Sequence, residues 1–146
     1  MSNAAGGNRK ITACLWFNGE AEEAANVYVE LFNNSPHAAD MQKSAIGPKA
    51  YYNKDITEHG ANFKAGTAVT VHFNLGEFHI MGLNGGPMFK FTPAVSLMVE
   101  CADQEEIDYF WKGFGEGITE REMDCGWIKD KYGMSWQVVP KYIREV

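Results

Sequence analysis

The run ITACLWFNGEAEEAANVYVELF (11–32) decides the fold, because it joins a strand pattern directly to a helix pattern. Residues 11–17 are apolar and β-prone, and they end at the turn residues Asn18 and Gly19. In residues 21–32 the apolar side chains recur at helical spacing, and glutamates crowd the first turn, where the helix dipole favours negative charge. The run therefore predicts a strand, a turn and an amphipathic helix.

The run AVSLMVECADQEEIDYFWKGF (94–114) repeats this pattern. Asp103 precedes its helix and Glu106 follows three residues later, which is the spacing of a capping box. A shift of 82 residues places Tyr28 on Phe110 and keeps strand and helix in one register. An internal repeat of this size predicts two copies of one module.

Further strand patterns follow each helix and end in a hairpin. The stretch 37–66 is harder to interpret, because it is polar and punctuated by glycine; it predicts one strand near 37–46 and then a mobile loop. The other predicted strands lie at 68–74, 77–83, 125–129 and 134–139, with tight turns around Leu75-Gly76 and 130–133.

The predicted fold class is therefore α+β, with two βαβββ modules forming a curved, half-barrel-like sheet that carries its helices on the outer face. We expect the modules at about 10–84 and 93–140, within a single domain of residues 10–146. Residues 1–9 are expected to be a disordered or tag-derived N-terminus.

Composition narrows the function classes. The 146 residues contain 13 Lys and Arg against 19 Asp and Glu, a net charge of −6 without a basic patch, so we expect no nucleic-acid partner. We expect no membrane contact either, because no apolar run is long enough to span and no secretory leader opens the chain. The cysteines Cys14, Cys101 and Cys125 lack CxxC spacing and lie in apolar runs. They are expected to be small buried hydrophobes in a reducing, cytoplasmic compartment.

Strand alternation assigns two faces to each opening strand. The uniformly apolar faces belong under the helices, and the mixed faces either line a concave cavity or fill a closed core. Several tryptophans and phenylalanines, among them Phe89 and Trp127, supply flat apolar surface for a small ligand. The candidate cavity residues are Cys14, Trp16, Asn84, Ser96, Met98, Ser135 and Gln137.

Four runs of the sequence are characteristic of one family: CLWFNGEAEEAANVY (14–28), LNGGP (83–87), FKFTPAVSLMVECADQEE (89–106) and CGWIKDKYGMSWQVVP (125–140). Through them the chain resembles the PhnB-like family, also called the 3-demethylubiquinone-9 3-methyltransferase-like domain, of the glyoxalase, bleomycin resistance and dioxygenase (vicinal oxygen chelate) superfamily. The resemblance covers nearly all of residues 11–140, and it implies the paired-module fold and a homodimer.

The resemblance also identifies the positions at which metal-dependent superfamily members hold their ion: Thr12, Ile80, Ala94 and Gln137. These residue types suit a divalent metal poorly, so we predict no cofactor and regard a bound metal as unexpected. An alternative pair is His72 and His79, which we expect to sit opposite each other across the hairpin.

Three functions remain open. The favoured one is metal-independent binding of a small, partly apolar ligand in the cavity lined by the paired modules. The second is a metal-dependent lyase, isomerase or oxygenase with atypical ligands such as His72 and His79. The third is a module that serves dimerisation only. Methyltransferase activity is not expected, because Gly85-Gly86 leads into Pro87 rather than into a helix that would hold a methyl donor.

Overall fold

The structure is a computed structural model that describes residues 9–116, 123–124 and 126–141. The chain divides into two compact units. The first contains Ala38–Phe89 together with the chain up to Asn33, and the second contains Asn34–His37 together with the chain from Lys90 onward. The segment predicted to be disordered or tag-derived lies outside the described residues, except for Arg9.

The first unit is a four-stranded sheet with one helix. In the sheet the strand order is β1-β4-β3-β2; β1 runs parallel to β4, and the other neighbours are antiparallel. Two short 3-10 turns, Ala38–Asp40 and Glu58–Gly60, lie in the connections. The elements are β1 (Ala13–Phe17), α1 (Ala21–Asn33), β2 (Ala45–Tyr51), β3 (Ala68–Leu75) and β4 (Phe78–Asn84).

The second unit repeats this topology. Its strand order is β5-β8-β7-β6, and β5 again runs parallel to the last strand, β8. The predicted α+β fold of two βαβββ modules is therefore confirmed. The elements are β5 (Ser96–Cys101), α2 (Gln104–Phe114), β6 (Met123–Asp124), β7 (Trp127–Lys129) and β8 (Ser135–Pro140).

Helix α1 buries a stripe of small and aromatic residues against its sheet. Ala21, Ala24 and Ala25 are completely buried, and their small side chains let the helix backbone approach the strands closely. Tyr28 follows on the same stripe and lies with its ring 6.3 Å from that of Phe73 on β3. Burying an aromatic side chain of this kind stabilises the fold by about 1.5–3 kcal/mol.

Helix α2 begins at the predicted capping box. The Asp103 carboxylate accepts from the Glu106 N–H at 3.0 Å, and the Glu106 carboxylate accepts from the Ala102 N–H at 2.7 Å. On its buried side, Phe114 stacks on Trp136 of β8 with 4.2 Å between ring centroids. None of the helices in the described part of the chain has the length and apolar character needed to cross a membrane.

The strand predicted near 37–46 is wrong: β2 spans Ala45–Tyr51, and Ala38–Asp40 forms a 3-10 turn. The Asn33 side chain bonds to both the N–H and the carbonyl of Ser44, at 2.9 and 2.8 Å, and so holds the preceding segment as a connection. The strand β2 was not recognised from the sequence because it contains Gly47-Pro48, which usually interrupts a strand. An edge strand with an irregular register tolerates this pair. The polar stretch at 120–122 and Cys125 lie outside the described residues.

Candidate functional site

In each unit the helix covers one face of the sheet and leaves a helix-free face. On β1, Leu15 and Phe17 are buried beneath α1, whereas Cys14 and Trp16 point to the other side, as alternation predicts. The register pairs Cys14 with Met81 on β4. The first helix-free face is therefore the side of the first sheet that carries Cys14, Trp16, His72, His79 and Met81.

Trp16 forms an aromatic edge on the first helix-free face. Its indole Nε1 donates to the Gly86 carbonyl at 2.8 Å, which fixes the ring. Phe89 meets the ring edge to face, with 4.8 Å between centroids, and remains 59% exposed. Gly85 lies directly against the indole, because a side chain at this position would collide with it. The result is a rigid tryptophan next to an accessible phenylalanine.

The glycine pair at the end of β4 has its backbone donors occupied. The Gly85 and Gly86 N–H groups donate to the Phe17 carbonyl at 3.0 and 3.4 Å. A turn that cradles a phosphate or a nucleotide needs such N–H groups free and followed by a helix. This pair instead closes the end of the parallel β1–β4 contact and packs against Trp16.

The cysteines differ from the prediction at one position. Cys101 is buried as expected, and burial, with smaller contributions from Glu106 and Asp103, raises the pKa of its thiol to about 12. Cys14 is exposed on the first helix-free face, so its predicted role as a buried hydrophobe is wrong. Partial desolvation raises the pKa of the Cys14 thiol as well. A raised pKa lowers the fraction of thiolate, the form that acts as nucleophile.

His72 and His79 share a face but do not sit opposite each other, so that prediction is wrong. The register pairs His72 with Met81 and Asn74 with His79, which makes the two imidazoles diagonal neighbours with centroids 5.7 Å apart. The Arg9 guanidinium lies 3.3 Å from His79 Nδ1. Burial, then Arg9, then His72 lower the pKa of His79. A cation at this pair would meet the positive charge of Arg9.

The metal positions implied by the family resemblance hold no suitable ligand set. Ile80 is completely buried on the α1 side and carries no ligand atom, and its neighbour Met81 takes the helix-free face. Thr12 and Ala94 are exposed and precede their strands. The Gln137 amide donates to Ser96 Oγ at 2.8 Å. The residues present therefore do not fit the metal site of the superfamily.

A His–Asp–Glu cluster does occur, at the start of α2. His37 Nε2 lies 2.8 Å from Asp103 Oδ2, and Glu106 offers a carboxylate oxygen within 4.8 Å of both ligand atoms. The two carboxylates already cap the helix, and a helix N-terminus disfavours a further positive charge. The cluster serves to anchor His37 to the helix start.

Asn84 does not reach a helix-free face, which corrects its expected role in the cavity. The side chain is 1% exposed. Its Oδ1 accepts from the Ala21 N–H at 3.0 Å, and its Nδ2 donates to the Ala68 carbonyl at 2.9 Å. Asn84 thus ties the start of α1 to the start of β3.

The second helix-free face is the side of the second sheet turned away from α2. Alternation places it opposite Trp136, which is buried against the helix. The register arranges its centre as two rows of three side chains across β5, β8 and β7. These rows are Met98, Gln137 and Trp127, and then Ser96, Ser135 and Lys129.

Two hydrogen-bond donors on this face are buried without an acceptor among the described residues: Ser135 Oγ and Trp127 Nε1. Ser135 is only 1% exposed. By contrast, the indole of Trp136 on the helix side donates to Asp130 Oδ2 at 2.8 Å. From the sequence, Trp127 was predicted only to supply apolar surface. In β7, Trp127 alternates with the apolar residue Ile128, and this alternation was the available indication that the Trp127 side chain faces away from α2.

A separate cleft of about 440 Å³ lies in the first unit, near the start of α1. Half of its lining comes from the stretch 37–66, which was hard to interpret from sequence, and its charged groups are one carboxylate and one ammonium. The lining residues are Asn18, Gly19, Glu20, Gly60, Asn62, Phe63, Lys64 and Thr67.

Residues 9–139 match the family described as 3-demethylubiquinone-9 3-methyltransferase. Among solved structures, the chain is similar to a PhnB protein from Bacillus cereus, with 32% identity and a TM-score of 0.69 over 90% of this chain and 99% of the other. It shares its fold with the protein PA1353 from Pseudomonas aeruginosa, at 15% identity and a TM-score of 0.62 over 91% and 98% of the two chains. No curated protein matches the chain.

The two similar sheets, each with one helix, and the match over residues 9–139 define the class. The chain belongs to the PhnB-like family, that is, the 3-demethylubiquinone-9 3-methyltransferase family.

Proposed function

We propose that the protein binds a small, partly apolar molecule on its helix-free faces and needs no metal to do so. The observation that carries the proposal is the aromatic edge of the first helix-free face, where Phe89 stays 59% exposed although it packs on Trp16. Adjacent Met88 is 56% exposed. Covering such apolar surface contributes roughly 25 cal/mol per Å² of area removed from water.

The character of the helix-free faces supports a ligand rather than a packed core. Leu15 and Phe17, beneath α1, are almost completely buried, whereas the alternate residue Cys14 is exposed. On the second unit, Met98 is 52% exposed beside the Gln137–Ser96 hydrogen bond. Small-molecule sites combine apolar side chains with a few placed polar groups in this way.

Binding without a metal is supported by the donor chemistry. At the superfamily positions, Ile80 carries no ligand atom and Gln137 is hydrogen-bonded to Ser96. Methyl transfer is outside the proposal despite the family's name, because the N–H groups of Gly85 and Gly86 are bonded to Phe17. Cytoplasmic location and a homodimer remain predictions.

A thermal-shift screen of small aromatic molecules, run with a chelator present, tests the proposal. We expect at least one compound class to raise the melting temperature of the chelated protein. The variant Phe89→Ala should reduce that shift, because it removes the exposed half of the aromatic edge.

The matched control is Phe78→Ala, since Phe78 is also exposed, at 46%, but lies in line with Ile80 on the α1 side of β4. It should leave the shift unchanged. A protein that responds only after metal is added, or that converts its ligand to a product, would contradict the proposal and favour the metal-dependent enzyme.

A further inference from the structure

The two rows on the second helix-free face contain an incomplete hydrogen-bond network. In the first row, Gln137 Nε2 already donates to Ser96 Oγ in the second row. Ser135 lies in the middle of the second row and Trp127 at the end of the first. Neither the Ser135 hydroxyl nor the Trp127 indole N–H finds an acceptor in the described chain.

Buried donors without acceptors are costly, because each has lost its hydrogen bond to water; the cost is about 1–3 kcal/mol for each group. Buried polar groups in native proteins are therefore nearly always paired. Two such donors on one face, in adjacent strands, are best explained by an acceptor that the described residues do not supply.

The spacing lets both donors reach one molecule. Trp127 is opposite Gln137, and Ser135 is two residues from Gln137 on the same strand, so the donors occupy diagonal positions. Diagonal neighbours in a sheet have Cα atoms about 7–8 Å apart, within reach of an indole side chain. A single oxygen acceptor has the two lone pairs needed to bond both donors.

We propose that Trp127 Nε1 and Ser135 Oγ form a subsite that binds an oxygen acceptor, a carbonyl or carboxylate oxygen, of the ligand. The inference rests on the proposed function, and it specifies the polar group that the ligand carries. Lys129, beside Ser135 in the same row, favours a negative oxygen, whereas Glu100, one step beyond Met98 on β5, opposes it. A carbonyl and a carboxylate share the oxygen lone pair that accepts the hydrogen bond, and the experiment distinguishes these two groups.

The experiment follows the four tryptophan indole N–H signals of the full chain by ¹H–¹⁵N NMR, assigned with single Trp→Phe variants. The probes are phenylacetate, acetophenone and phenethylamine, which carry a carboxylate, a carbonyl and no acceptor, respectively. We expect the Trp127 signal to move downfield saturably with one or both oxygen probes and to stay fixed with phenethylamine. The internal control is Trp136, whose N–H is already bonded to Asp130 and should not move.

The variant Ser135→Ala tests the second donor. It should weaken oxygen-probe binding at least fivefold while leaving the melting temperature equal or higher, because it removes a buried hydroxyl that the free protein does not satisfy. A lower melting temperature with unchanged binding would show that the hydroxyl has a structural partner, such as a trapped water, and would overturn the subsite.

The remaining outcomes separate this inference from the proposed function. If the probes bind and move only the Trp16 signal or backbone signals near Phe89, the subsite is wrong and ligand binding stands. If the Trp127 signal responds equally to phenethylamine, recognition of an oxygen acceptor is wrong. If no signal moves with any probe at millimolar concentration, both proposals fail for this ligand class.

Discussion

The Asp130 side chain organises the β7–β8 hairpin. Its carboxylate is 6% exposed and accepts three hydrogen bonds: from the Tyr132 and Met134 N–H groups at 2.9 and 3.0 Å, and from Trp136 Nε1 at 2.8 Å. A carboxylate so placed organises the turn and orients the tryptophan on which α2 packs. Its role is in folding rather than in acid–base chemistry.

Replacing Asp130 should therefore be costly. We expect Asp130→Ala to lower the free energy of unfolding by about 2–4 kcal/mol, because it leaves the buried Met134 N–H and Trp136 indole without acceptors. Urea unfolding measures the change. Asp40→Ala, at an exposed position, should stay within about 0.5 kcal/mol of the parent. Equal stability of the two variants would refute this role.

Individual residues also show why part of the candidate site was not predictable from the sequence. Asn84 has the polarity of a ligand-binding side chain, and only its bonds to Ala21 and Ala68 reveal that it is structural. Whether Ile80 or Met81 faces α1 depends on where the β3–β4 turn begins, and an error of one residue exchanges the faces of the strand. Trp127 looked apolar because nothing in a sequence shows whether an indole N–H finds an acceptor.

Among the elements, α1 and α2 were the most predictable, because each has a clear apolar stripe. The capping box predicted at Asp103 coincides with the structure. The weakest prediction was β2, where Gly47-Pro48 breaks the strand pattern and the structure compensates through an edge position and an irregular register. The local sequence pattern does not predict the course of the backbone where side-chain hydrogen bonds determine it, as those between Asn33 and Ser44 do here.

The start of α2 should be sensitive to acid. The Glu106 N–H and then the His37 side chain lower the pKa of Asp103 below its usual 3.8. A lowered folded-state pKa stabilises the fold above the unfolded pKa, and this contribution is lost as the pH falls through the folded value. We expect Asp103→Asn, which keeps a capping side chain, to lower the urea midpoint at pH 7.

That difference should shrink as the pH falls below about 4 and vanish once Asp103 is protonated. His37→Gln should reproduce part of the loss at pH 7, because it removes one of the two groups that stabilise the carboxylate. A difference between parent and Asp103→Asn that stays the same from pH 7 to pH 2.5 would refute the linkage.

At the scale of the whole molecule, the repeat was the most informative feature of the sequence. It predicted that each unit would place its helix between the first and second strands, and both units do so. The function was harder to predict from the sequence, because a helix-free sheet face has the same sequence pattern whether it binds a ligand or packs against another surface. Membership of the family does not remove this ambiguity, since one fold carries many activities.

The predicted homodimer is a property of the whole chain and can be measured directly. Sedimentation equilibrium at neutral pH should give twice the mass of one 16.3 kDa chain. The net charge of −6 is small enough for apolar faces to associate at physiological salt. A single-chain mass at all concentrations up to about 100 µM would contradict the dimer.

The parallel contact between the first and last strands of each unit has a consequence for synthesis. Ala13 pairs with Ile80, so β1 leaves the ribosome long before its partner strand exists. At roughly 5–20 residues per second, α1 must wait several seconds with its apolar stripe uncovered. The nascent first unit therefore exposes the apolar stripe of α1 until the later strands are made, and codons that slow translation before residue 78 would lengthen this exposure.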